Sequence, residues 1–232
     1  GPLFGSDDWN ALFVFALDEA RRLGLEMGFN IQSGWNLGGP RVTPEYAAKQ
    51  ITYSETRISG GESITQQLEQ PKSRQDFYEE IAVLAFPMSS SRRTDVSITD
   101  LDLKLGFHEL GGSAPDCRFL LGNNPRTGHG AVPVTTHVIE REDIIDVSSK
   151  MDEAGNLAWD APGGEWIVMR IGYTCTDAHV STSSGDWQGN VLDYMSVEAF
   201  DFYWNDVVEP IFKAAGDHVG TTLKYMETDS WE

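Results

Sequence analysis

Apolar residues recur at three- and four-residue spacing through Trp9, Leu12, Phe13, Ala16, Leu17, Ala20 and Leu23, which is one face of an α-helix. Ser6 stands before them as an N-cap, and Asp7 and Asp8 fall in the first turn, where the helix dipole favours carboxylates. Gly24 supplies the left-handed residue that ends such a helix. The pattern therefore predicts a helix over 6–23. Residues 25–31 form a short apolar run of strand length, followed by the irregular Gly-rich loop Gln32-Ser-Gly-Trp-Asn-Leu-Gly-Gly-Pro40. Helix, Gly turn, strand and elaborate loop make the rhythm of a (β/α) unit. Thr43 as cap and Pro44 at the first helical position predict a second helix over 43–54. Residues 55–70 alternate weakly and read as extended pieces with a turn at Gly60-Gly61. Ile81, Val83, Leu84 and Phe86 mark a strand over 80–86.

From about residue 87 the texture changes. A polar linker, Ser89-Ser-Ser-Arg-Arg-Thr94, precedes short apolar runs separated by Gly, Pro, Asn and Asp. The runs lie at 101–107, 117–121, 132–139, 144–147, 157–159 and 166–173, a spacing that predicts an all-β sandwich. Asp152-Glu-Ala-Gly-Asn156 and Ala161-Pro-Gly-Gly164 read as hairpin turns, and Trp159 and Trp166 flank the second of them, placed to pair across strands. Helical period returns at 196–215 under a Ser196 cap, with Val197, Phe200, Tyr203, Trp204, Val207, Val208, Ile211 and Phe212 on the apolar face. Pro210 kinks or divides that helix. A last strand over 221–226 leads into Asp229-Ser-Trp-Glu232. The predicted fold class is α/β: a partial (β/α)8 barrel interrupted by an antiparallel β-sandwich. The expected boundaries are 1–88 for the first part of the barrel, 89–182 for the sandwich, and 183–232 for the return to the barrel.

Composition narrows the function. The chain has 232 residues with a net charge of −19, from 17 basic against 36 acidic side chains. Such a surface repels nucleic acid and anionic membranes but is indifferent to neutral carbohydrate. No apolar stretch is long enough to span a bilayer, and no signal peptide is visible at Gly1. The two cysteines, Cys117 and Cys175, show no metal-ligand spacing, and the five histidines are scattered without a zinc pattern. No phosphate-binding Gly loop, no dinucleotide fingerprint, no G-x-S-x-G turn and no EF-hand loop is present.

What chemistry there is gathers at strand ends. Asp229-Ser-Trp-Glu232 places two carboxylates and an indole at the carboxyl end of a strand, where (β/α) barrels keep their active sites. Sugar cleavage needs those parts: a proton donor, a second carboxylate, and a flat apolar face for a pyranose ring. Glu232 is the candidate general acid, since burial beside Trp231 and repulsion from Asp229 would raise its pKa; the other role for it is to cap a following helix. Trp35 on its Gly-rich loop is either a sugar platform or a buried anchor. Asp193, just before a helix, either contacts a sugar hydroxyl or cation or caps the helix entry. Glu55 is a lesser candidate with a surface role. The contrasting function is a non-catalytic carbohydrate-binding module with Trp159, Trp166 and Trp187 as its platform.

Five stretches in sequence order resemble the α-L-rhamnosidases of glycoside hydrolase family 106. They are Gly1-Pro-Leu-Phe-Gly-Ser-Asp-Asp-Trp9, Glu19-Ala-Arg-Arg-Leu-Gly-Leu25, Gly34-Trp-Asn-Leu-Gly-Gly-Pro40 with Thr43-Pro-Glu45, Leu157-Ala-Trp-Asp-Ala-Pro-Gly-Gly-Glu-Trp166, and Asp229-Ser-Trp-Glu232. The resemblance implies a (β/α)8 catalytic barrel with β-sandwich material, an inverting mechanism, and a calcium ion near the sugar. It makes Glu232 look like the general acid, with Trp35, Asp193 and Asp229 as pocket residues and an oligosaccharide or polysaccharide as substrate. Enzymes of this class meet glycans outside the cytoplasm, which implies a secreted or periplasmic location. An inverting enzyme needs a second carboxylate roughly 6.5–9.5 Å from the first. None is evident here, so the chain is expected to be a fragment whose second carboxylate follows Glu232. An unclosed barrel exposes strand edges, which puts the activity of the piece by itself in question. A barrel glycosidase of different sugar specificity remains the nearest alternative.

Overall fold

The structure, a computed structural model, describes residues 1–88, 139–183 and 185–229, together with the backbone of 93–98 and 132–137. The chain divides into two compact units: residues 1–55, 68–82 and 170–232 form the first, and 56–67 and 83–169 the second. In chain order the elements are α1 (Asp7–Leu23), β1 (Met27–Asn30), β2 (Gly38–Gly39), β3 (Lys49–Gly60), β4 (Ser63–Gln67), β5 (Glu79–Pro87), β6 (Arg93–Ile98) and β7 (Val132–His137). They continue with β8 (Ile145–Asp146), β9 (Asn156–Asp160), β10 (Gly164–Cys175), β11 (Asn190–Val191), α2 (Val197–Tyr203), a π-helical turn (Trp204–Val208), α3 (Glu209–Ala215) and β12 (Leu223–Glu227). The architecture is mixed α/β and rich in sheet, and among the described residues no barrel closes.

In the first unit β1 and β12 lie side by side in parallel, with Gly28 opposite Tyr225, Phe29 opposite Met226 and Asn30 opposite Glu227. α1 begins and ends as its sequence dictates. Ser6 accepts a hydrogen bond from the Trp9 amide, and Gly24 adopts the left-handed conformation at φ +69°. Its buried stripe is narrower than the apolar pattern suggests. Leu17 and Ala20 are buried and Trp9 and Phe13 half-buried, but Leu12 and Leu23 are exposed. The Phe29 ring of β1 meets Phe13 at 5.3 Å, Phe212 at 5.9 Å and Trp9 at 6.2 Å, so α1 and α3 both pack on the strand. Phe29, 5% exposed, is the buried centre of this cluster, and full burial of such a side chain is worth about 1.5–3 kcal/mol.

The 196–215 helix is three pieces, and the reason is Pro210. A proline lacks the N–H that would bond the carbonyl four residues earlier and its ring crowds that carbonyl. Here the chain opens into a π-helical turn just before it, and the Asp206 carbonyl accepts from Arg41 Nη1 instead, at 3.0 Å. Val197, expected on the buried face, is exposed.

The predicted helix over 43–54 is not formed. Tyr46 and Ala47 bond back to Thr43 through their amides, giving a single turn, and β3 starts at Lys49. The run Ile-Thr-Tyr-Ser-Glu-Thr-Arg-Ile from Ile51 to Ile58 is β-branched and aromatic with period two, and that preference overrides the cap and proline at its start.

In the second unit β4 pairs with β9, bringing Ile64 opposite Trp159. The turn 152–156 forms as expected: Gly155 sits at φ +84° and Asp152 Oδ1 accepts from the Asn156 amide at 2.8 Å. Residues 161–164 do not make a hairpin, because β9 takes β4 as its neighbour while β10 lies between β3 and β5. Trp159 and Trp166 still meet edge to face at 5.4 Å. Trp166 Nε1 donates to the Pro162 carbonyl at 2.8 Å. β6 and β7 form an antiparallel pair. The strands expected at 101–107 and 117–121, with Cys117, lie outside the described residues.

Candidate active site

The parallel pair β1–β12 brings the carboxyl ends of both strands to the same place. Ile31 continues the ladder by donating its amide to Glu227 O at 3.1 Å. Beyond it the chain buries three polar residues in succession: Gln32, Ser33 and Asn36 are each no more than 6% exposed. Tyr203 of α2 anchors this end by donating its hydroxyl to the Ile31 carbonyl at 2.8 Å.

The loop that follows is clamped rather than loose. Trp35 N donates to Ser181 O at 3.1 Å, and Asn36 Oδ1 accepts from both the amide and the hydroxyl of Ser181 at 3.2 and 2.9 Å. β2 pairs with β11 just beyond, and Trp187 Nε1 donates to Gly38 O at 3.0 Å. The Gly38-Gly39 pair has a plain cause: a Cβ on Gly39 would overlap the Trp187 indole, and one on Gly38 would overlap the Asn190 carbonyl. Out of this rigid base the Trp35 side chain projects with 52% of its surface exposed. It is a presented indole, not a buried anchor, and has the flat apolar face on which a pyranose ring stacks.

Asp229 follows β12 at the same end of the pair and is exposed. Glu232, with Ser230 and Trp231, lies outside the described residues. Asp193 is elsewhere in the unit: its Oδ1 accepts from the Met195 amide at 2.9 Å, forming the turn that leads into α2, where Ser196 is the cap. Its side chain also lines a cavity with Lys49, Phe77 and Tyr173. Trp35 and Asp229 are not among the residues lining that cavity, so the structure brings Trp35 and Asp229 to the strand-end region and sets Asp193 on a separate hollow.

Comparison with known proteins follows this geometry. The model of a family described as alpha-L-rhamnosidase, Glyco_hydro_106, matches residues 3–232. The chain belongs to glycoside hydrolase family 106. A relative from Formosa agariphila named "Putative beta-glucuronidase" is 37% identical over all of this chain, which spans 19% of the relative's length. A solved structure, that of a rhamnosidase from Novosphingobium sp. PP1Y, superimposes on 100% of this chain with a TM-score of 0.69 at 18% identity, covering 34% of that protein. At that identity the likeness is one of fold.

The chain just beyond β1 also buries an amide that the sequence pattern alone does not single out. Gln32 is 4% exposed, its Nε2 donates to Gly34 O at 3.3 Å, and its Oε1 has no hydrogen-bond partner among the described residues. A buried acceptor left unsatisfied costs about 1–3 kcal/mol and usually has a reason. The only signal in the sequence is its place directly after an apolar strand. The platform proposed for a binding module is absent: Trp159, Trp166 and Trp187 are at most 7% exposed. Glu55 is exposed on β3. No group of three acidic, His or Cys side chains that could hold a metal occurs among the described residues. No helix among them is long and apolar enough to cross a membrane.

At the opposite end of the strand pair His218 is 5% exposed. Asp18 Oδ1 stands 3.1 Å from its Nε2 and Arg21 Nη2 2.8 Å from its Nδ1, joining α1 to the chain entering β12.

Proposed function

We propose that this chain forms part of an α-L-rhamnosidase that cleaves rhamnose-containing glycans with inversion. In this reading β1 and β12 are neighbouring strands of a (β/α)8 barrel, and the segment 89–182 is a β-sandwich set into it. The observation that carries the reading is Trp35, an exposed indole on a clamped loop at the carboxyl ends of two parallel strands, in a chain of this family. Trp35 takes the apolar face of the sugar, and Asp229 accepts hydrogen bonds from its hydroxyls. Glu232, three residues further on, protonates the departing glycosidic oxygen. A second carboxylate activates water on the opposite face of the ring, as inversion requires. Asp193 contributes a further polar contact to the glycan. No step is assigned to a metal.

The test is hydrolysis of an aryl α-L-rhamnoside by the protein and by Glu232→Gln, with the anomer released read by NMR before it mutarotates. Inversion gives the β anomer first, and the variant loses turnover by orders of magnitude while retaining sugar binding. Unchanged turnover in Glu232→Gln removes the acid assignment. A second reading, cleavage of a β-D-glucuronide, is favoured by the name of the Formosa relative. An aryl β-D-glucuronide run beside the rhamnoside decides between them.

A further inference from the structure

The first unit contains a hollow of about 500 Å³ that the strand-end reading leaves unused. Its walls come from the start of β3 (Lys49), the segment leading into β5 (Phe77, Glu79), the end of β10 (Tyr173) and the loops that supply Glu45 and Asp193. Phe77 and Tyr173 lie 6.0 Å apart with their planes tilted by 44°, both half-buried, forming an apolar corner. Lys49 Nζ stands 4.6 Å over the Phe77 ring and is held by the Glu45 and Ala47 carbonyls at 2.9 and 2.5 Å. Those bonds use two of its three protons. Burial lowers the Lys49 pKa, although Cys175, Asp193 and Glu45 favour its charged form.

We propose that this hollow is a second carbohydrate site, which holds a neutral sugar ring of the glycan apart from the residue being cleaved. The volume lies within the range of small-ligand sites, roughly 300–1,000 Å³. An aromatic corner covers the C–H face of a pyranose, while carboxylates accept from its hydroxyls and an ammonium donates to its oxygens. Three carboxylates, Glu45, Glu79 and Asp193, stand against the one ammonium of Lys49. That excess repels uronic and sulfated sugars and leaves neutral rings as the ligand class. The assignment to carbohydrate rests on the glycosidase reading above, but the occupancy of the hollow is measured independently of cleavage.

The experiment is an NMR titration of the full chain with methyl α-L-rhamnoside, a neutral rhamnose oligosaccharide, and methyl β-D-glucuronide. Backbone amides of Lys49, Gln50, Tyr173 and Asp193 report the hollow, and the Trp35 indole N–H reports the strand end. A second site predicts saturable shifts at the hollow amides with the neutral sugars and at least about tenfold weaker binding of the glucuronide there. Tyr173→Ala weakens the hollow affinity about tenfold or more while the Trp35 signal still saturates as before. If Tyr173→Ala loses its folded spectrum, Glu45→Ala serves. Lys49 is held by the main-chain carbonyl of Glu45, so removing that side chain leaves the ammonium in place, and a loss of threefold or more is expected. Hollow amides that stay still while Trp35 titrates, equal affinity for the glucuronide, or affinity unchanged in a folded variant each overturn the proposal. Failure to cleave an aryl rhamnoside by a protein that carries this chain together with the second carboxylate, with the hollow amides still titrating, overturns the glycosidase reading and leaves the hollow standing.

Discussion

Trp187 is 3% exposed with its Nε1 bonded to the Gly38 carbonyl, whereas Trp35, on the same clamped loop system, is 52% exposed. The difference predicts opposite phenotypes. Trp187→Phe leaves a buried carbonyl without its donor and is expected to cost about 1–3 kcal/mol by urea denaturation. Trp35→Ala removes a side chain that is half in solvent and makes no side-chain hydrogen bond among the described residues, so stability should fall by no more than about 1 kcal/mol. Affinity for rhamnosides should fall about tenfold. A Trp35→Ala protein that binds sugar normally would take the platform role from it. Gln32 makes a third case. Gln32→Met deletes the unpartnered Oε1 along with one long hydrogen bond, so stability is expected to change by less than about 1 kcal/mol. If the buried amide serves the site, kcat/KM on aryl rhamnosides drops well out of proportion to that; parallel losses would mark it as packing only. The sequence left Trp35 open between a platform and a buried anchor and was silent on Gln32, because solvent exposure of one residue is set by chain that arrives from far away: Ser181 and Asn190 build the loop's base.

At the scale of elements, the best-read pieces were those whose caps and period agree. α1 runs from its Ser6 cap to Gly24 because capping, charge and apolar spacing all point the same way. The segment 43–54 carried a conflict: a helical start at Thr43-Pro44, then a strand-forming run, and the sheet won. Pro210 was read as a kink or break, and the structure adds that Arg41 donates a hydrogen bond to the Asp206 carbonyl freed there. Arg41→Met should therefore destabilise the protein modestly, by about 0.5–1 kcal/mol, since the pair is half-exposed. The pair β1–β12 also carries a pH dependence. Glu26, just before β1, accepts from Lys224 Nζ at 2.5 Å and Tyr225 Oη at 2.7 Å on β12. These hydrogen bonds, Lys224 first, hold its carboxyl below the ordinary 4.5. With the folded pKa below the unfolded one, the stabilisation is present above pH 4.5 and is lost as pH falls through the lower folded value. The gap in urea midpoint between wild type and Glu26→Gln should shrink as pH falls below 4.5. A gap constant across that fall would show that the carboxylate contributes nothing through ionisation.

At the scale of the whole molecule, a net charge of −19 on 232 residues sets a background that no single contact overrides. Self-repulsion of the folded state should relax as salt screens it, so Tm is expected to rise between about 10 mM and about 150 mM monovalent salt. A Tm that falls with salt would mean that attractive ion pairs outweigh the excess charge. The same charge predicts no measurable association with duplex DNA in an electrophoretic shift assay. The division into units with discontinuous sequence segments also belongs to this scale: residues 56–67 and 83–169 gather apart from the ends of the chain. Parallel pairing of β1 with β12 joins segments almost two hundred residues apart, which local periodicity cannot report.

From the order of residues alone came the α1 caps, the strand at β1, the terminal strand β12, the interrupted helix at Pro210 and the family, because each depends on short-range spacing, on special residues or on motifs in order. Tertiary structure decided the rest. It turned 49–54 into sheet, paired β9 with β4, buried Trp159, Trp166 and Trp187 while presenting Trp35, and set Asp193 on a hollow with Tyr173. Those outcomes turn on which distant segment reaches a given side chain first, and burial, pairing and electrostatic surroundings are properties of that meeting rather than of either segment.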